Sequence, residues 1–116
     1  MKKLIIAVLV MSWASPVWAS FIDGNTLYSW CQEEKSSNIY FQMNARCVTY
    51  IIGVSDAVSG SGKGIGGFNF CLPKHVSTKQ VRDIVDKWLG ANPQDRHYDA
   101  DSLVASVLYE VWPCPE

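Results

Sequence analysis

Four cysteines (Cys31, Cys47, Cys71 and Cys114) and two histidines (His75 and His97) are the side chains of this sequence best suited to nucleophilic attack or metal ligation. A thiolate beside an imidazole base would make a nucleophilic pair. Metal sites built from these residues need short spacings, and neither Cys-x-x-Cys nor His-x-x-x-His occurs. Asp83, Asp86, Asp95, Asp99 and Asp101 could supply acid or base chemistry, but each falls on a helix surface or at a capping position, with no pairing that implies a cleft. Gly62-Lys63 echoes the end of a phosphate loop, yet Gly64 stands where Ser or Thr is required, and helical rather than strand periodicity precedes it. The residues therefore point away from an enzyme, and no cofactor or metal is expected.

The cysteines have a simpler use. Residues 1–19, MKKLIIAVLVMSWASPVWA, have a short basic start, an apolar run and small residues near Ala19. That is the order of a secretory signal peptide, and the run is too short for the roughly 20 residues of a membrane-spanning helix. Cleavage after Ala19 leaves residues 20–116 as one small domain, with no membrane anchor expected after cleavage. The short basic start looks bacterial, which makes the compartment the periplasm. An even number of cysteines in an exported chain reads as two disulfides, for which three connectivities exist. Loss of Lys2 and Lys3 lowers the basic count from 10 to 8 against 11 acidic residues, a formal charge of about −3. Nucleic acid, which needs clustered cations, is not an expected partner.

These cysteines must be positioned by helices. The clearest lies within Phe70–Ala91: Ser77 and Gln80 have capping-box spacing, Val76 and Val81 that of a hydrophobic staple, and Val81, Ile84, Val85, Trp88 and Leu89 form one apolar stripe. Asp83 and Lys87 form an i,i+4 pair on the opposite face, and Pro93 ends the helix near Asn92. A first helix is expected from Asn25 or Thr26 to about Glu34. A second is expected over Ile39–Ser59, with stripes at Tyr40, Cys47, Ile51, Val54 and Val58 and at Phe41, Ala45, Val48 and Ile52. So wide an apolar face suits a central helix. The β-branched run Val48 to Val54 favours a strand, but helical spacing over about 20 residues outweighs it.

A last helix is expected from the cap Asp99 to Trp112, with Ala100, Leu103, Val104, Val107, Leu108 and Val111 buried. Ser59–Asn69 holds five of the eight glycines and is a loop, by default a mobile one. The fold class is thus all-α, a small four-helix bundle stapled by two disulfides. Helix order favours Cys31 with Cys47 across the first turn, and Cys71 with Cys114 across an antiparallel hairpin of the third and fourth helices.

The order and spacing of several segments resemble a known family. They are Leu27-x-x-x-Cys31, CVTYIIGVSDA from Cys47 to Ala57, FCLP from Phe70 to Pro73, Trp88-Leu89, Asn92-Pro93, Arg96-His97, Ala100, Leu103-Val104 and Pro113-Cys114. Together they resemble the Rap/Tai family of type VI secretion immunity proteins over nearly the whole chain after the signal. The resemblance implies a periplasmic helical protein, often a homodimer, that binds and inhibits a peptidoglycan amidase effector, a papain-like cysteine hydrolase. Two features depart from the family pattern: Thr49 stands before Tyr50 where glycine is usual, and the Gly-rich loop is longer.

Blocking a papain-like cleft calls for a narrow projection, which makes Ser59–Phe68 the first candidate surface, with Ser59, Ser61, Lys63, Ile65 and Phe68 as contacts. A disordered connector is the competing reading of this loop. The Gln94–Tyr98 connection is the second candidate, with Arg96, His97 and Tyr98 expected on the surface. Two functions of other classes stand beside this one: a small periplasmic chaperone or stress protein of the acid-resistance kind, and an accessory subunit of an envelope complex.

Overall fold

The computed structural model describes residues 20–116; the signal-peptide reading of residues 1–19 lies outside the described residues. Four helices follow in order: α1 (Gly24–Cys31), α2 (Tyr40–Val58), α3 (Thr78–Ala91) and α4 (Ala100–Val111), with a single 3-10 turn at Pro93–Asp95 before α4. Among the described residues the only extended pairings are isolated bridges, Asp23 with Asp99, Ile65 with Phe68, and Phe70 with Pro113. The β-branched run in α2 is helical, as its spacing indicated.

Both expected cystines form, Cys31 with Cys47 and Cys71 with Cys114. They close segments of 16 and 43 residues. In the chain-entropy picture, loops of such lengths correspond to about 3 and about 4 kcal/mol. That is a large share of the stability of a domain this small.

The core is drawn from one face of each helix. Leu27 and Cys31 of α1 meet Cys47 and Ile51 of α2, Val81, Val85 and Leu89 of α3, and Ala100, Leu103, Val104, Ala105, Val107 and Leu108 of α4. Each fully buried Leu, Ile or Val stabilises the fold by about 1.5–3 kcal/mol relative to exposure. Phe70, in the segment before α3, is the largest wholly buried side chain among the described residues. Ser55 is buried among these groups because its hydroxyl donates to the Ile51 carbonyl one turn back, 2.7 Å away.

Several details differ from the sequence expectation. The helix with the widest buried face is α4, not α2: Phe41 (83 % exposed) and Ala45 of the second α2 stripe lie on the surface, and so does Val111. The α2 helix does touch all three others: Cys47, Ile51 and Ser55 are its fully buried residues, and Tyr50, Ile52, Val54 and Val58 pack partly buried against the core beside them. Asp83 pairs with Lys79 and Arg82 rather than Lys87. The hydrogen bond from Lys79 holds the Asp83 carboxyl below its ordinary value. Helix α1 begins earlier and ends earlier than expected, because its cap is Asp23, whose carboxylate accepts from the Thr26 amide at 2.7 Å, and because Cys31 is drawn toward Cys47. The capping box of α3 forms in full: Gln80 N donates to Ser77 Oγ at 3.1 Å, and Ser77 N donates to Gln80 Oε1 at 2.7 Å.

Tyr50 of α2 packs edge-on against Trp30, with centroids 6.4 Å apart, near the first turn of α4. Burial, assisted by the charges of Asp101 and Asp99, pushes its phenol up to about 12.

Asp23 gives a prediction in which structure and pH act together. The bond from the Thr26 amide holds its carboxyl below the ordinary 3.8. A depressed folded value stabilises the fold above the unfolded pKa, and that contribution disappears as pH falls through the folded value. Asp23→Ala is expected to lose about 1 kcal/mol at neutral pH, and Asp23→Asn only a few tenths. Urea titrations between pH 2 and 7 should show a shallower acid decline for Asp23→Asn than for the parent. Equal acid slopes would sink the assignment of Asp23 as the charged cap.

Two glycines of opposite behaviour provide a second test. Gly64 has φ +63° and a Cβ there would stand 2.1 Å from the Phe68 carbonyl oxygen, whereas a Cβ on Gly53, inside α2, meets nothing within 4 Å. Gly64→Ala should destabilise by at least about 1–2 kcal/mol. Gly53→Ala should stabilise by roughly 0.5–1 kcal/mol, measured by thermal unfolding.

Candidate interaction surface

The glycine-rich loop is tied at its base and folded over at its tip. Leu72 N donates to Ser59 Oγ at 2.9 Å, and Gly60 N donates to the Phe70 carbonyl at 3.0 Å. Ser61 Oγ accepts from the amides of Lys63 and Gly64 at 3.3 and 3.4 Å. Ile65 and Phe68 exchange backbone bonds of 3.3 and 3.0 Å, which turns the tip back on itself. Gly60, Gly62, Gly64, Gly66 and Gly67 all have positive φ, the conformation this folding requires. Ile65 and Phe68 are thereby half-buried against the core, and the Phe68 ring lies 5.7 Å from that of Tyr109 on α4. Ser61 and Lys63 stay exposed, while Ser59 is half-buried at the base.

The second candidate segment is docked on the start of α1. Gly24 N donates to the Tyr98 carbonyl at 2.9 Å, and Asn25 N to the Arg96 carbonyl at 2.7 Å. Gly24 permits this approach, since a Cβ there would come 2.7 Å from the Arg96 carbonyl oxygen. Arg96 is half-buried rather than on the surface: its guanidinium lies over the Tyr28 ring, 4.1 Å from the centroid. It thus braces the connection, a cation–π contact worth about 0.5–2 kcal/mol. His97 and Tyr98 are exposed and stack on each other with centroids 4.1 Å apart.

Between the two segments runs a groove of about 410 Å³, lined by Phe68, Trp88, Asp95, Tyr98, Asp99, Ser102, Leu103, Ser106 and Glu110. Phe68 and Tyr98 are the two sequence-chosen residues that meet there; Ser59, Ser61, Lys63, Ile65, Arg96 and His97 do not line it. Its apolar surfaces come from Phe68, Trp88, Tyr98 and Leu103, while Asp95, Asp99 and Glu110 supply negative charge with no Lys or Arg in the lining. Such a groove is fitted to an apolar side chain flanked by cations. It has no nucleophile from sulfur, because all four cysteines are in cystines.

Sequence reasoning missed the α4 contribution. Ser102, Ser106 and Glu110 recur every four residues, and this polar stripe beside the apolar one was available as a signal. A second, smaller groove of about 270 Å³ lies between α3 and α4 and shares Trp88 and Glu110 with the first.

Comparison with curated proteins finds no match for the chain. A family model described as Rap1a immunity proteins matches residues 23–114, from the cap of α1 to the last cysteine. The matched span therefore contains all four helices, both cystines and both segments that flank the groove, and the chain belongs to the Rap1a immunity protein family.

Proposed function

We propose that this immunity protein acts in the periplasm, where it binds and blocks a peptidoglycan amidase effector of type VI secretion, a papain-like cysteine hydrolase, by occlusion and without catalysis of its own. The observation that carries this reading is the family match across the whole helical domain, joined to the sequence pattern resembling the amidase-immunity group. Two cystines suit an oxidising compartment, and the secretory character of residues 1–19 accords with it.

In this reading the effector-facing side is the glycine-rich loop with the groove beside it. Ser61 and Lys63 project from the loop, Phe68 and Tyr98 form adjacent apolar walls, and His97 extends the surface past Tyr98. A tied loop on a rigid bundle presents these groups with little further ordering on contact, which favours tight association. Arg96 contributes by bracing this side rather than by touching the partner, since its head group is engaged with Tyr28.

The homodimer implied by the resemblance belongs in this reading on the α3–α4 side, where Ile84, Trp88, Ala91 and the 45 %-exposed Val111 form an apolar strip. Light scattering should give twice the monomer mass for the parent and a monomer for Val111→Asp; a monomeric parent would remove this part of the reading.

The principal test is calorimetric titration of the exported protein against a type VI peptidoglycan amidase effector. Inhibition with a one-to-one subunit ratio is expected. Ser61→Ala with Lys63→Ala, and separately Tyr98→Ala, should each weaken binding at least tenfold, about 1.4 kcal/mol, while leaving helical circular dichroism intact. Unchanged affinity in both variants would move the interface elsewhere, and no binding to the amidase would remove the amidase reading.

A further inference from the structure

On the other side of the molecule, between the first turns of α2 and α3 and the turn that joins α1 to α2, lies a pocket of about 360 Å³ of different chemistry. Lys35, Tyr40, Asn44, Val48, Thr78, Lys79 and Arg82 line it, and no carboxylate does. Three cationic side chains converge there in a protein whose acidic residues outnumber its basic ones. Unpaired, such a cluster would be destabilised by mutual repulsion, and only part of it is neutralised by the protein.

Arg82 is fixed in place. Its Nη2 donates to the Cys31 carbonyl at 3.0 Å and its Nη1 to Asp83 at 3.3 Å, while Nε is buried with no acceptor among the described residues. Because Cys31 is held by the cystine to Cys47, the carbonyl that anchors Arg82 is itself rigid. Lys79 shares Asp83 with Arg82, so one carboxylate answers these two cations, and among the described residues Lys35 has none. Glu33 and Glu34 precede Lys35 in the chain but do not line the pocket, and Asp86 is engaged by the Gln32 amide. The set keeps a surplus of two positive charges. Tyr40 and Val48 add an aromatic and an aliphatic wall, and Tyr40, Asn44 and Thr78 add neutral hydrogen-bonding groups.

We infer that this pocket binds a small organic anion, a phosphate monoester or a dicarboxylate, with its charged end at Lys35, Lys79 and Arg82 and its body against Tyr40 and Val48. The size is in the range of small-molecule pockets and larger than a bare inorganic anion fills, which is why an organic body belongs to the ligand. A guanidinium with two of its donors already fixed, beside the exposed ammonium groups of Lys35 and of Lys79, the latter shared with Asp83, is suited to a doubly charged oxyanion. The site lies apart from the groove and is independent of the amidase reading.

The test is amide-resolved NMR titration of the intact secreted protein with three probes at constant ionic strength: inorganic phosphate, phenyl phosphate and succinate. Saturable shifts confined to the neighbourhood of residues 35, 40, 44, 48, 78, 79 and 82 are expected, with phenyl phosphate binding at least threefold tighter than inorganic phosphate. The ratio of phenyl phosphate to succinate affinity then separates phosphate from carboxylate ligands. Lys35→Ala with Lys79→Ala, both on exposed side chains, should weaken the best probe at least tenfold without changing the thermal midpoint by more than a few degrees. Tyr40→Leu should reduce the preference for phenyl phosphate over phosphate. Linear or scattered shifts with all three probes, or affinity unaltered in the double lysine variant, would overturn the inference.

Discussion

The side of the molecule that carries the groove depends on one short antiparallel pairing, that of residues 69–71 with residues 112–114. Cys71 N donates to the Trp112 carbonyl at 2.9 Å and Cys114 N to the Asn69 carbonyl at 3.1 Å, around the Phe70–Pro113 bridge and beside the Cys71–Cys114 cystine. These contacts place Phe70 wholly inside the core. With Phe70 fixed, its carbonyl receives Gly60 N, and the two ends of the glycine-rich loop are held close together. The loop must then lie along α4, where Phe68 meets Tyr109. A non-local contact of this kind is entropically costly to form, and the cystine offsets that cost by restricting the unfolded chain.

At the opposite end of α4 a comparable lock is made without sulfur. Ala100 N donates to the Ile22 carbonyl, Gly24 N to that of Tyr98 and Asn25 N to that of Arg96, so the start of α1 and the start of α4 share backbone bonds. Asp23 is central to both: its carboxylate caps α1, and its backbone forms the bridge to Asp99. Asp99 holds the N-cap position of α4 but makes no side-chain cap bond there, since neighbouring backbone supplies the order instead. Tyr98 is in this way carried to the rim of the groove by the same bonds that start two helices. The groove is the gap left between two locks.

Much of this was legible in the sequence because it is local. The capping box of Ser77 and Gln80, the stripe Val81, Val85, Leu89 and the stop at Pro93 rest on interactions within a few residues, and α3 follows them. The cystine pairing was legible at one remove, because antiparallel neighbours bring Cys71 to Cys114 and Cys31 to Cys47. What was not legible is what depends on distant partners. Arg96 reads as a surface residue until the Tyr28 ring is placed beneath it, Phe41 reads as part of a buried stripe but lies on the open side of α2, and Asp83 chooses Lys79 over Lys87 by side-chain placement that spacing alone does not set. The candidate site was half legible for the same reason. Phe68 and Tyr98 lie in segments marked by composition, whereas Trp88, Ser102 and Glu110 enter through the packing of α3 against α4.

The glycines of the loop decide how such a surface works. A five-glycine segment in free solution would require roughly 1–2 kcal/mol of ordering per residue on binding, enough to cancel most of what a few contacts provide. Here the positive φ values are used to build a specific turn: Gly64 lies against the Phe68 backbone where no Cβ fits, and Ile65 and Phe68 close the tip over the core. Ordering is met during folding, by the burial of two apolar side chains and the bonds at the base. Ser61 and Lys63 are thus presented from a support whose shape is set by Phe68, the residue that also walls the groove. Loop tip and groove form one continuous surface, and a change at Phe68 acts on both, through the support of the loop and through the wall of the groove.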